Sequence, residues 1–439
     1  MASLTRKARW ATWATVLPML VVPTACETLR DPLSVEPVSR IPVVVAEIPA
    51  NAQLLSDGAI ADFDCAFGSY TAIGGLVGEE FIYAQQTASR SPYDRRNTSK
   101  DDADYAVNAC NSGSPGVYTP LQVARASNEN LIRLLNLWTD EEVAAGSGFP
   151  NRTNLIAIAS AYAGYSFVLL AEGFCTMAVS YVNPDNSITY GGQIQRDSVF
   201  RLAIARFSEA ITAATTVNNV PIRTMAYLGR ARAKLNLADY AGAKADALQV
   251  PAGYVRTVTA SDAADTRRQN RVFNENSATN RSVSVGQPYR SMGDTRVPVV
   301  ATTSVSATGI LHYYQTKYAT RGTAFPLATY EEAQLIIAEA DIQANSLLTA
   351  LPILNASRTR GGQPVPFTGV TQADYRAELI DQRRRELFAE SHHLGDIIRY
   401  TISLTPAAGT AYHFGGNYCN QICLPLPSAE RLNNPLIGG

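Results

Sequence analysis

Asp381-Gln-Arg-Arg-Arg-Glu-Leu-Phe-Ala-Glu-Ser-His-His-Leu-Gly-Asp-Ile-Ile-Arg-Tyr400 is the most specific stretch of this chain, and Leu424-Pro-Leu-Pro-Ser-Ala-Glu-Arg-Leu-Asn-Asn-Pro435 follows it after a loop-like interval. The first reads as one charged helix with an apolar stripe of Leu387, Leu394 and Ile397. The second reads as an extended, proline-paced tail. An arginine triplet could mark an anion site, but Glu386, Glu390 and Asp396 stand close by. Guanidinium forks suit carboxylates and carbonyls, so Arg383, Arg384, Glu386, Glu390 and Asp396 are expected to form a structural brace. That brace would tie the tail to the body of the protein. His392-His393 is no metal pair, because neighbours on a helix diverge by about 100°.

Working outward, helical periodicity marks Ala52 to Phe67, Ile73 to Gln86, Leu121 to Trp138 and Thr153 to Phe174. The last is Ala-, Leu- and Tyr-rich around most of its circumference and should be central. Ser198 to Ala214 and the two Ala-rich helices of Arg223 to Leu248, joined near Asn236 to Asp239, carry a repeat signal. Gly229, Ala233, Ala243 and Ala247 leave room for close antiparallel packing, as in a tetratricopeptide-type hairpin. Tyr330 to Asn345 and Leu347 to Thr359 make a second hairpin. Ser91 to Asp104 has the composition of a surface loop. Val255 to Phe325, rich in Ser, Thr, Val, Asn and Arg, should be loops and short strands.

The N-terminus has a basic segment (Arg6, Lys7, Arg9) and an apolar run from Trp10 to Val22, too short to span a membrane. It ends in Val22-Pro-Thr-Ala-Cys26, where a lipoprotein signal peptidase would leave Cys26 to be acylated. Pro23 stands where Leu is usual, so secretion with cleavage near Ala25 remains the alternative. Residues 1–25 are thus expected to be a lipoprotein signal peptide, 26–50 an extended linker, and 51–439 a single domain. No other stretch is expected to be apolar for the roughly 18 residues of a membrane span.

The chain has 439 residues, 46% of them hydrophobic and 17% charged, with a net charge of −1. That allows a sizeable core and gives no reason to expect a nucleic-acid partner. Beyond Cys26, five cysteines remain. Cys419 and Cys423 are the favoured disulfide in this exported chain, Cys65 with Cys110 is a second candidate, and Cys175 reads as a buried thiol.

The ordered landmarks resemble the RagB/SusD family of nutrient-binding outer-membrane lipoproteins. They are Tyr289-Arg-Ser-Met-Gly-Asp-Thr-Arg296, Tyr313-Tyr-Gln-Thr-Lys-Tyr318, Ile336-Ile-Ala-Glu-Ala340, Leu354-Asn-Ala-Ser-Arg-Thr-Arg360 and the two stretches quoted first. The resemblance covers most of the mature chain and is most specific over 330–439. It implies a mainly α fold: tetratricopeptide-like helical hairpins with an irregular, loop-rich subdomain of short strands. Variable insertions would lie near 88–120 and 255–325. It also implies a lipid-anchored, surface-exposed outer-membrane protein that takes an oligosaccharide, or a peptide, and passes it to a TonB-dependent β-barrel transporter of the SusC type.

Nothing in the residues spells catalysis. Nucleophile elbow, zinc-protease and phosphate-loop motifs are lacking. Glu79-Glu80 and Glu331-Glu332 are neighbours on one element, unlike the separated carboxylates of a glycosidase. Asp101-Asp-Ala-Asp104 lacks the glycine and distal Glu of a calcium loop. No enzyme, cofactor or metal is expected. The alternatives are a surface glycan hydrolase and a peptide-binding tetratricopeptide-like scaffold. Sugar sites favour aromatic faces edged by polar side chains on loops. Tyr93, Arg95 and Asn97 on one loop, and Phe273, Asn274, Tyr289 and Arg290 on another, are the candidate ligand contacts.

Overall fold

The computed structural model describes residues 46–85, 90–263 and 266–438. The signal peptide, Cys26 and nearly all of the expected linker lie outside the described residues. The body, Glu47–Gly439, is one compact unit.

Long helices follow one another in space as in sequence: α1 (Ala52–Val77), α2 (Tyr118–Leu137), α3 (Arg152–Gly173), α4 (Arg196–Thr216), α5 (Val220–Asn236), α6 (Tyr240–Ala247), α7 (Tyr330–Gln343) and α8 (Leu347–Arg360). Each of α3 to α7 packs on its successor, and α7 also receives α8 and α9 (Gln372–Glu386). This is the expected array of antiparallel helical hairpins. Side-chain oxygens start the helices: Asn219 caps α5, Asp239 caps α6, Thr329 caps α7, and Thr371 with Asp374 forms a capping box on α9.

Helix α3 is long and apolar enough to pass for a membrane span, against the sequence expectation, but 83% of its most apolar window is buried. It is a core helix wrapped by α2, α4 and α5. Phe207 of α4 explains two glycines. A Cβ on Gly164 of α3 would lie 2.7 Å from its ring, and one on Gly229 of α5 would lie 2.3 Å from it. Gly229 therefore makes room for the α4 ring. Ala233, Ala243 and Ala247 form the close α5–α6 contact and are fully buried.

The second expected helix, Ile73 to Gln86, is not separate. Its first turn completes α1, and Phe81–Tyr83 is a strand paired antiparallel with Val283–Val285. The reversal is made at Gly78 and at Glu79, whose φ is 63°. The described strands form two-stranded antiparallel pairs, among them Val299–Val305 with Leu311–Gln315, in the predicted irregular region.

The opening stretch is likewise two helices. α9 stops at Glu386, and α10 (His393–Tyr400) begins after a break in which Ala389 and Ser391 have φ of 56° and 69°. Neither glycine nor proline marks that break. Outside partners hold it: Ala389 N–H donates to Glu80 Oε1 at 2.8 Å, Tyr318 Oη–H donates to the Ala389 carbonyl at 2.9 Å, and Lys317 Nζ donates to the Phe388 carbonyl at 2.9 Å. Tertiary contacts override the local helical pattern.

The brace residues bind the helical body rather than the tail. Arg383 donates to Asp396 at 2.8 and 3.0 Å, and Arg399 donates to Asp396 at 2.8 Å and pairs with Glu339 of α7. Glu386 receives Arg296 at 2.8 Å and Arg360 at 3.0 Å, while Glu390 pairs with Lys317 at 2.6 Å. Arg384 donates to Asp381 at 2.7 Å. The tail is fixed elsewhere. Leu424 N–H donates to the Gly173 carbonyl at 2.8 Å, and Cys175 N–H donates to the Leu424 carbonyl at 2.9 Å.

That pairing corrects the cysteine expectation. Cys423 bonds Cys175 across 248 residues, and Cys65 bonds Cys110. Among the described residues Cys419 is the free thiol, neither fully buried nor exposed. Its backbone N–H donates to the Arg95 carbonyl at 2.8 Å, so it belongs to a different strip of chain from Cys423. Cys175 is thus a tail clamp and not a lone buried thiol.

Candidate functional site

Five pieces of chain wall a cavity of about 270 Å³. They are the end of α1 with its following strand (Glu79, Phe81, Ile82), the segment with Asp94 and Arg96, the turn Gly286–Arg290, the hairpin tip Gly309–Leu311, and the C-terminal loop with Thr405, Pro406 and Tyr418. The Phe81–Tyr83 pair with Val283–Val285 brings the first and third pieces together, and Gly286 allows their closest approach. A Cβ there would lie 1.9 Å from the Glu79 carbonyl oxygen, and Gly286 N–H donates to the Glu80 carbonyl at 2.7 Å. Arg96 caps the short helix Ser91–Arg95 in the left-handed conformation, φ 59°, and turns the chain into the wall.

Asp94 is buried. Its Oδ2 accepts from Tyr83 N–H at 2.9 Å and Tyr412 Oη–H at 3.1 Å. Burial outweighs these bonds and pushes its carboxyl up to about 7. Glu79 accepts from Thr405 N–H, with His393 Nε2 at 3.8 Å. Arg96, only 3% exposed, donates to the Pro406 carbonyl and lies with its guanidinium carbon 4.9 Å from the centre of the Tyr418 ring. Burial lowers its pKa from the ordinary arginine value. Arg96 Nε and Tyr418 Oη are both buried and have no hydrogen-bond partner among the described residues. Arg290 donates to the Val285 carbonyl at 2.8 Å and stacks 4.4 Å from the Tyr313 ring centre; burial lowers its pKa too.

Gln287 and Arg290 also border a second, polar hollow of about 520 Å³ that Arg384, Arg385, Tyr313 and Met292 complete. Two of the arginine triplet, Arg384 and Arg385, therefore reach the edge of this site. They are already engaged: Arg385 donates to Asp381 at 2.7 Å and Asp294 at 3.3 Å.

Of the expected ligand residues, those near Asp94 and Gln287 lie on segments that wall the cavity, but Tyr93 and Tyr289 themselves do not line it. Tyr93 is buried, and so is Tyr289, which stacks on Phe388 at 5.0 Å between ring centres. Both are core, so neither is an open platform for a ligand. Phe273 is half-buried against the core. Arg95 turns to the Asn417 carbonyl at 3.0 Å, and Asn97 is exposed. Their neighbours Asp94 and Arg96, and Arg290 beside Tyr289, line the cavity. The expected surface loop, Ser91 to Asp104, contains the short helices Ser91–Arg95 and Ala103–Val107 and contributes core residues. Asp94, Gln287 and Tyr418 were missed because nothing local in the sequence distinguishes a residue that faces a cavity from one that faces the core.

A tetratricopeptide-like scaffold with a loop-walled cavity beside a polar hollow is the class that these features define. The SusD family model matches residues 230–422. Among solved structures, a SusD superfamily protein from Bacteroides thetaiotaomicron VPI-5482 superposes with a TM-score of 0.66 at 14% identity, covering 89% of this chain and 99% of that one. A SusD-like carbohydrate binding protein from Bacteroides vulgatus ATCC 8482 gives 0.65 at 14% identity, covering 89% and 97%. Surface glycan-binding protein A from Bacteroides uniformis gives 0.62 at 14% identity, covering 88% and 98%. Among curated protein sequences none matches this chain. The C-terminal signature and the fold agree: residues 230–422 match the SusD family, and the described body shares the fold of SusD superfamily proteins.

Proposed function

We propose that this protein is a non-catalytic surface lipoprotein, anchored through Cys26 to the outer membrane, that binds an oligosaccharide. It would deliver that ligand to a TonB-dependent β-barrel partner. The proposal includes the chain's division into a leader to residue 25, a linker over 26–50 and one body over 51–439. The observation that carries the binding reading is the cavity itself. It is walled by loops on a rigid helical frame and is lined by polar side chains, Glu79, Asp94, Arg96, Gln287 and Arg290, set among apolar ones. A few polar groups on an otherwise apolar wall suit a hydroxyl-rich ligand, which supplies both donors and acceptors. The glycan-binding proteins of the same fold support the ligand class.

Two tests separate this reading from its rivals. Membranes solubilised in mild detergent should yield the protein together with a β-barrel transporter; repeated recovery alone contradicts the partner. Purified protein incubated with a polysaccharide panel should release no reducing ends, and steady release would make it a hydrolase.

A further inference from the structure

We propose that the cavity selects an acidic sugar, seating a uronate carboxylate or a sulfate ester between Arg96 and Arg290; this rests on the glycan-binding reading above. Among the described residues these two arginines are held by carbonyl oxygens and tyrosine rings, and not by carboxylates. Arg96 has the Pro406 carbonyl and the Tyr418 ring, and Arg290 has the Val285 carbonyl and the Tyr313 ring. Most other buried arginines of the body are ion-paired, as Arg232 is with Glu172 at 2.5 Å and Arg383 with Asp396 at 2.8 Å. The wall carboxylates are committed elsewhere, Glu79 to the Thr405 N–H and Asp94 to Tyr83 and Tyr412. Burial also favours the neutral form of Asp94 up to about pH 7, which removes negative charge from the wall.

A neutral glycan would normally be gripped by stacking on open aromatic faces. Here the two tyrosine rings at the arginines are already covered by guanidinium. What the wall offers is cationic donors: the side chains of Arg96 and Arg290 both line the cavity. An oxyanion accepts several such bonds at once and places a direct counter-charge beside two guanidiniums that, among the described residues, have none at salt-bridge distance. A volume of about 270 Å³ is at the low end for a small-molecule site, so it fits a terminal sugar ring and not the middle of a chain. The adjoining hollow of about 520 Å³ would take the next ring.

Calorimetry with matched probe pairs tests this: oligogalacturonate, oligomannuronate and oligoglucuronate against their methyl esters, and sulfated against desulfated oligosaccharides. At least one acidic member should bind about tenfold to a hundredfold more tightly than its neutral partner. Arg290→Gln should erase that preference while the protein still melts cooperatively, and Arg290→Lys should restore part of it. Equal binding within every pair overturns the proposal and leaves glycan binding intact. Binding to no glycan overturns both, and capture of only a peptide carboxylate does the same.

Discussion

Asp396 is the point at which the signature can be tested hardest. Its carboxylate is 6% exposed and accepts three charge-assisted bonds, two from Arg383 and one from Arg399. Replacing Asp396 with Asn keeps the shape, removes the charge, and aims an amide donor at a guanidinium. Breaking a buried pair by removing one partner costs about 3–5 kcal/mol. With an unfolding entropy of about 2.1 cal/mol/K per residue over a body of about 390 residues, that is a drop of about 4–6 °C in Tm. The two arginines hold the carboxyl well below the usual range. Its stabilisation is therefore present above the ordinary aspartate pKa of about 4 and lost as pH falls below it. The gap between wild type and Asp396→Asn, followed by thermal and urea unfolding, should be full at pH 7 and narrow below about pH 4. The double variant Arg383→Met/Asp396→Leu should lose less than the two single changes summed. A Tm shift under 1 °C for Asp396→Asn, or strict additivity in the double variant, refutes the brace.

Two further outcomes follow from the same structure. Cys175→Ala/Cys423→Ala removes a crosslink spanning 248 residues, for which chain entropy sets a loss of up to about 5 kcal/mol, and should expose the 419–435 tail to proteases; unchanged unfolding and unchanged cleavage would mean that the tail is held without the bond. Asp94 has its folded pKa raised from 3.8 to about 7, so its contribution is full below pH 4 and lost as pH rises through 7. Asp94→Asn, which keeps an acceptor for Tyr83 and Tyr412, should gain stability on wild type between pH 5 and 8, by up to about 4 kcal/mol; a pH-independent difference would show that Asp94 stays charged.

The scaffold was legible where local pattern and tertiary role coincide. The α5–α6 hairpin announces itself by its small-residue spacing and the α7–α8 hairpin by its helical periodicity, and side-chain oxygens of Asn219, Asp239 and Thr329 cap α5, α6 and α7. The break at Ala389 was illegible because Glu80, Lys317 and Tyr318, far away in sequence, create it. The disulfide of Cys423 was misread for the same reason: nearness in sequence suggested Cys419, whereas the pairing of Leu424 with the end of α3 delivers Cys175. At the candidate site, aromatic composition pointed to two segments that wall the cavity, but burial sent Tyr93 and Tyr289 inward and left their polar neighbours lining it.

The most direct measurement is glycan binding with the cavity open and with it filled. Ile310 sits at the hairpin tip on the cavity rim, so Ile310→Trp should fill the space without disturbing the core. Affinity electrophoresis and calorimetry across an oligosaccharide panel should find a glycan that binds the wild type and is lost in Ile310→Trp at an unchanged Tm. Glycan binding that Ile310→Trp leaves intact, or a wild type that binds no glycan in the panel, would contradict the account.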